Sequence, residues 1–245
     1  AVLPTFLSTA TASARRQLRV SFAGALSNYW MLTAMADPHF RPCRPGDIDA
    51  ALPMIISSGP EAFGYVFNDQ REDQLAAFLR RAFQEKGSEF SFQQHVAIDV
   101  GGEVMGVGAL RFSHQTAGFS LRALSLMLRH YGLIAGLRTA IRGLRTEAII
   151  KPPPKNVAYL YQLGVRPEQR GRGLGRALIA HLIQRAEDLG YLRIGLSVSI
   201  ENPRAQTLYE QLGFTVIREY SSALRSDFGH VPGQRYMELD LSNTR

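Results

Sequence analysis

Between a strand-like apolar run and a helix-like amphipathic run lies Arg170-Gly171-Arg172-Gly173-Leu174-Gly175-Arg176. This glycine-rich turn constrains the fold more than any other stretch of the chain. Glycines let the backbone adopt conformations closed to other residues and approach a ligand closely. The helix start that follows leaves amide N–H groups without intrahelical partners and carries the positive end of the helix dipole. Together these features suit a phosphate or diphosphate, with Arg170, Arg172 and Arg176 adding charge around it. The plain alternative is a tight strand-to-helix turn with solvated arginines. Two familiar phosphate readers are excluded. No Lys-Ser or Lys-Thr follows, so the turn is not a P-loop. Arg176 stands where a dinucleotide fingerprint wants its third glycine, so a Rossmann turn fails too.

The turn sits in a regular succession of elements. Phe40 to Arg44 reads as a strand closed by Pro45-Gly46, after which Asp47 can cap a helix bearing Ile48, Ala51, Leu52, Ile55 and Ile56. Ser57-Ser58-Gly59-Pro60 ends that helix. Leu75, Phe78, Leu79, Ala82 and Phe83 recur at helical spacing in a second one. Gln93 to Val100 and Val104 to Phe112 form strands around the Gly101-Gly102 turn signal. Asn156 to Val165 is a strand, and Leu174 to Leu189 a helix stopped by Gly190. Arg193 to Ser199 is a strand, Pro203 to Leu212 a helix, and Phe214 to Tyr220 and Gln234 to Leu241 are the last strands. This order predicts a mixed α/β domain with a central sheet of about seven strands and helices on both faces.

The 245 residues include 45% hydrophobic and 20% charged residues, enough to build a core and too apolar for a disordered chain. One cysteine, Cys43, excludes an internal disulfide framework and a cysteine-clustered zinc site. The six histidines show no pair at metal-ligand spacing, so no metal is expected. The net charge of +7 suits an anionic ligand, a nucleic acid or a membrane surface without choosing among them. Its excess is local. Arginines and lysines without matching acids concentrate in residues 1–36, 119–151 and 165–176. Tyr and Phe are not interleaved with these cations as stacking platforms would require, so nucleic acid is not an expected partner.

A second block follows the turn at about thirty residues: Asn202-Pro203-x-Ala205-x-x-Leu208-Tyr209-x-x-x-Gly213-Phe214. Taken with Arg170-x-x-Gly173-x-Gly175 after Leu163-Gly164-Val165-Arg166-Pro167, the pair resembles the signatures of the GNAT superfamily of acetyl-coenzyme A-dependent N-acetyltransferases. The likeness covers about residues 38–241. It implies acetyl transfer from acetyl-coenzyme A to a small-molecule or peptide amine, in the cytoplasm.

By the resemblance, the backbone from Arg170 through Gly171, Arg172, Gly173, Leu174, Gly175 and Arg176 holds the diphosphate. Leu163, Gly164 and Val165 bind the pantetheine arm, and Asn202 contacts the cofactor. Tyr209 matches the residue whose hydroxyl protonates the leaving thiolate, a role suited to a phenol that is neutral at pH 7. By the resemblance, the glutamate that many relatives carry on the strand before the glycine turn is Tyr159 here, and the one that a subgroup carries five residues before the asparagine is Ser197, so no base is assigned. Glu103, Tyr159, Tyr161, Glu201 and His230 are conceivable substitutes. The missing base keeps a rival open, a non-catalytic acyl-coenzyme A binding or sensing module.

Two segments lie outside the family pattern. Relatives join the strands flanking 113–156 by a short turn, whereas here two amphipathic helices broken near Gly132 are expected. Arg138, Arg142 and Arg145 share one face of the second. A solvated helical hairpin is the bland expectation. A lid selecting an acidic acceptor, or a membrane-surface or partner-binding helix pair within 119–151, is the sharper one. Residues 1–36 carry Arg15, Arg16 and Arg19 before an uncharged run closing at Ala34-Met35-Ala36, which reads as an extension with some features of a targeting segment. The domain proper is expected over 37–245. The oligomeric state is left open, and a homodimer is compatible with it.

Overall fold

The computed structural model describes residues 38–68 and 74–242. The expectations for residues 1–36 lie outside the described residues. The chain runs β1 (His39–Pro42), α1 (Ile48–Ser57), α2 (Pro60–Phe67), α3 (Gln74–Gln84), β2 (His95–Val100) and β3 (Glu103–Arg111). It continues through α4 (Thr116–Tyr131), α5 (Leu133–Thr146), β4 (Ala158–Val165), α6 (Leu174–Asp188), β5 (Arg193–Ser199) and α7 (Pro203–Gln211). The end is β6 (Thr215–Tyr220), a small hairpin of β7 (Arg225–Ser226) and β8 (Gly229–His230), and β9 (Gln234–Asp240). Among the described residues one seven-stranded sheet forms in the order β1-β2-β3-β4-β5-β9-β6. The mixed sheet with a helical insertion between central strands matches the order of apolar runs.

Period-two alternation in the central strands sends side chains to two cores. Val96, Ile98, Leu110, Ala158 and Leu160 pack beneath α6 with Leu174, Leu178, Ile179, Leu182 and Ala186. Ala97, Val104 and Val107 face the opposite layer, built on Leu52, Met54 and Ile55 of α1 and Phe78, Leu79 and Phe83 of α3. Close helix-to-sheet approach needs glycine at two points. A β-carbon on Gly108 would press on Leu163, Leu178 and Leu182, and one on Gly164 would collide with the Met54 backbone of α1.

Local differences from expectation have identifiable causes. Gly59-Pro60 stops α1 but also starts α2, because proline is well suited to the first position of a helix, where no N–H is needed. Asp47 does not cap α1 with its side chain. Its carboxylate turns back to the Arg41 guanidinium at 2.8 and 3.0 Å and to the Arg44 N–H at 2.6 Å. Phe92 to Gln94 forms a 3-10 turn, so β2 begins at His95. The long loop after β6 contains the β7–β8 hairpin.

Two irregularities in β4 position the site. The strand pairs with β3 at Tyr159–Tyr161 and again at Gly164 and Val165, with the register slipping by one in between, where Gln162 takes φ 51°. Such a bulge bends a strand. On its other edge β4 pairs with β5 in parallel only at Ala158↔Ile194 and Tyr159↔Gly195. Beyond Tyr159 the pairing with β5 ends, which leaves the β4 edge open on that side.

Candidate active site

A cleft of about 670 Å³ runs along this open edge, lined by Leu163, Gly164 and Val165 of β4 and by α7. The glycine turn and the start of α6 close its mouth. Arg166 N–H is fixed to the Met105 carbonyl at 2.9 Å, and Pro167–Gln169 make a 3-10 turn ahead of the glycines. Gly171 and Gly173 take φ 80° and 83° with nothing within 4 Å of an added β-carbon. They are glycine for backbone conformation, not for space. Gly173 caps α6 without a side chain, so the amides of Leu174, Gly175 and Arg176 have no partner among the described residues. These three donors, the dipole end and Arg170, Arg176 and Arg204 around the cleft fit a diphosphate-bearing ligand.

The second block is a helix with built-in start and stop. Asn202 caps α7, its side-chain oxygen accepting from Ala205 N–H at 3.1 Å, and Pro203 occupies the first position. At the far end Gly213 takes φ 94°, and Phe214 N–H returns to the Tyr209 carbonyl at 3.0 Å, a left-handed helix stop. The Phe214 ring then packs edge-on against Tyr209 at 6.0 Å. These constraints hold Tyr209 in the wall of the cleft. Its hydroxyl makes no hydrogen bond among the described residues. Burial, with a smaller contribution from the Tyr159 hydroxyl, pushes it up to about 12.

Of the residues singled out from sequence, Leu163, Gly164, Val165, Arg170, Gly171, Gly173, Leu174, Gly175, Arg176, Asn202 and Tyr209 all border this cleft. Arg172 is exposed outside it. Arg176 reaches across to Gln211 at 2.9 Å and ties the α6 start to the end of α7. Ser57, Arg204 and Thr207 also line the space. Nothing in their local sequence marks them, because they reach the cleft only through the packing of α1 and α7.

The two positions that lack the glutamate meet each other. Tyr159 donates to the Ser197 hydroxyl at 2.7 Å across β4 and β5. Burial pushes the Tyr159 phenol up to about 12, so this pair stays neutral. The other candidates lie elsewhere. Glu103 pairs with Arg166 at 2.9 Å, and Glu201 with His230 at 3.3 Å, both on the surface. Tyr161 donates to the Glu89 carbonyl at 2.9 Å. Glu89, an isolated acid without a sequence signal, pairs with Arg111 at 2.7 Å, and burial raises its pKa.

His95 fixes the bulge. Burial lowers its pKa, so the ring is neutral and has one proton to give. Nδ1 faces the Ser91 carbonyl at 2.8 Å and donates to it. On its other side Nε2 lies 2.7 Å from Gln162 Oε1, so the ring bridges β2 to the bulge. Among the described residues no group of three or more His, Cys, Asp or Glu side chains could hold a metal ion.

Known proteins agree with this architecture. A family model described as the acetyltransferase (GNAT) family matches residues 60–214. The mycothiol acetyltransferase of Beutenbergia cavernae is 43% identical over 68 residues, 28% of this chain and 23% of that protein. The [ribosomal protein bS18]-alanine N-acetyltransferase of Escherichia coli K12 is 42% identical over 66 residues, 26% of this chain and 45% of that protein. The matches thus span less than half the length of these relatives. A crystal structure described as an acetyltransferase superposes with TM-score 0.62 at 19% identity, covering 83% of this chain and 100% of that one. An N-acetyltransferase from Staphylococcus aureus Mu50 gives 0.57 at 17% identity, covering 82% and 100%. Both share the fold. With the family model spanning more than half of its length, the chain belongs to the acetyltransferase (GNAT) family.

Proposed function

We propose that the protein is an acetyl-coenzyme A-dependent N-acetyltransferase acting on a primary amine. The observation that carries this reading is one cleft holding three features at once: an open strand edge, a helix start with free amides, and a tyrosine hydroxyl without a partner. The bound thioester would supply an activated acetyl group, which the amine attacks as coenzyme A leaves as a thiol. The Leu174, Gly175 and Arg176 amides would hold the diphosphate. The edge of β4 beyond Tyr159, unpaired on the β5 side, would hold the pantetheine arm by strand-like hydrogen bonds. Tyr209, neutral at any working pH, would give its proton to the departing sulfur, and the proton that the nitrogen sheds on becoming an amide would return through water to the phenolate.

The Tyr159–Ser197 pair favours a second reading. Two neutral hydroxyls take the place of a carboxylate, so they can order a water but cannot hold a proton as a base. A non-catalytic acyl-coenzyme A binding module is consistent with that. Calorimetry with acetyl-coenzyme A, followed by thiol release across a panel of amines, separates the two. Binding with release that depends on one class of amine supports the enzyme. Binding without release from any amine supports the module, and absence of binding overturns both.

A further inference from the structure

Helix α5 is amphipathic in the wrong sense for a core helix. Its inner side is made of small residues, with Gly136 and Thr139 buried. A β-carbon on Gly136 would meet the backbone of Met127 and Leu128 in α4 at 2.8 to 3.0 Å, so the two helices touch main chain to main chain. The large aliphatics point outward instead. Leu133 and Ile134 are each 68% exposed, Leu144 64%, Ile141 48% and Leu137 44%. At 100° per residue these five fall on one arc of about 100°. Arg145 and Arg138 follow on one flank, both exposed and without a partner among the described residues. No exposed residue of α5 is acidic.

We infer that α5 lies in the surface of an anionic lipid bilayer, its aliphatic arc among the acyl-chain ends and Arg138 and Arg145 on the headgroup phosphates. A continuous apolar stripe with a cationic flank is the pattern of an in-plane interfacial helix. At 14 residues, about 21 Å long, α5 is too short to span the hydrocarbon layer. None of the described helices is long and apolar enough to cross a membrane. Charge complementarity separates lipid from the other occupants. The uncharged run of Val20 to Ala36, interrupted by Ser27 and Asn28, follows Arg15, Arg16 and Arg19, which would repel the α5 flank. A second copy would offer no exposed acid from its own α5 to these arginines. The inference does not depend on the reaction proposed above, because α5 contributes nothing to the cleft.

The test is co-sedimentation of the full chain with phosphatidylcholine vesicles, with and without about 30% phosphatidylserine. Binding is expected only with phosphatidylserine and is expected to fall sharply at about 0.5 M NaCl. The double substitution Leu137→Glu with Ile141→Glu should weaken it at least about tenfold. Arg138→Gln and Arg145→Gln should each weaken it about fivefold and flatten the salt dependence. All four positions are exposed, and an unchanged thermal unfolding midpoint checks the fold. Equal binding to neutral vesicles overturns the inference. So does binding that survives Leu137→Glu with Ile141→Glu, which assigns attachment to another part of the chain. Self-association in sedimentation velocity that this double variant abolishes, without vesicle binding, assigns the face to a second copy and also overturns it.

Discussion

Tyr209→Phe isolates a single oxygen atom. The hydroxyl has no hydrogen-bond partner among the described residues, and the ring keeps its contact with Phe214. Deleting an unpaired hydroxyl leaves nothing unsatisfied behind, so stability should change by no more than about 0.5 kcal/mol. Loss of a general acid should instead lower kcat about 10²–10⁴-fold, equivalent to about 3–5 kcal/mol of barrier. Affinity for acetyl-coenzyme A should be nearly unchanged, because the α6 amides proposed to hold the diphosphate are untouched. The pH profile adds an independent readout. A phenol pushed up to about 12 stays protonated through the usable range. The wild-type kcat should therefore rise as the amine loses its proton and then level off, with no falling limb below about pH 10. Steady-state thiol release, calorimetry and thermal unfolding on both proteins provide the three measurements. Equal kcat in the Phe variant would refute the acid role. A parallel fall in kcat and unfolding midpoint would reassign Tyr209 to packing.

The helix start can be probed through Gly175, whose added β-carbon meets only Val165 at an ordinary 3.8 Å. Gly175→Ala should fold normally and weaken acetyl-coenzyme A binding at least about tenfold in calorimetry, because the methyl group stands where the ligand approaches. Arg41 joins β1 to Asp99 at 2.7 Å and to Asp47 at 2.8 Å, with little solvent access to any of the three. Arg41→Met should cost about 3 kcal/mol in denaturant unfolding by stranding two carboxylates. His95 has its pKa lowered in the fold by burial, so the unfolded chain binds the extra proton first. Its contribution is complete above the unfolded value near 6.5 and is lost as pH falls below it, at up to about 1.4 kcal/mol per pH unit. His95→Phe should flatten that slope in unfolding measured between about pH 5 and pH 7.

The amino-acid sequence by itself determined the elements and the chemistry that each carries locally. Period-two and helical spacing placed the strands and most helices, since burial of one face is written into residue order. The glycine turn was legible because Gly171 and Gly173 need positive φ and the α6 start needs no partner to present its amides. Asn202, Pro203 and Gly213 marked the ends of α7 for the same local reason. Tertiary structure alone decided the rest. The cleft lies where β4 bulges at Gln162 and its pairing with β5 has ended, a register slip that no local pattern announces. Gly164 owes its identity to the α1 backbone, 110 residues away in sequence by the Met54 contact. That Tyr159 and Ser197 would join in one hydrogen bond, and that α5 would turn its leucines outward, follow from which surfaces meet. Backbone preference acts between neighbours in the chain, whereas a cleft or an exposed face is a property of the packed layers.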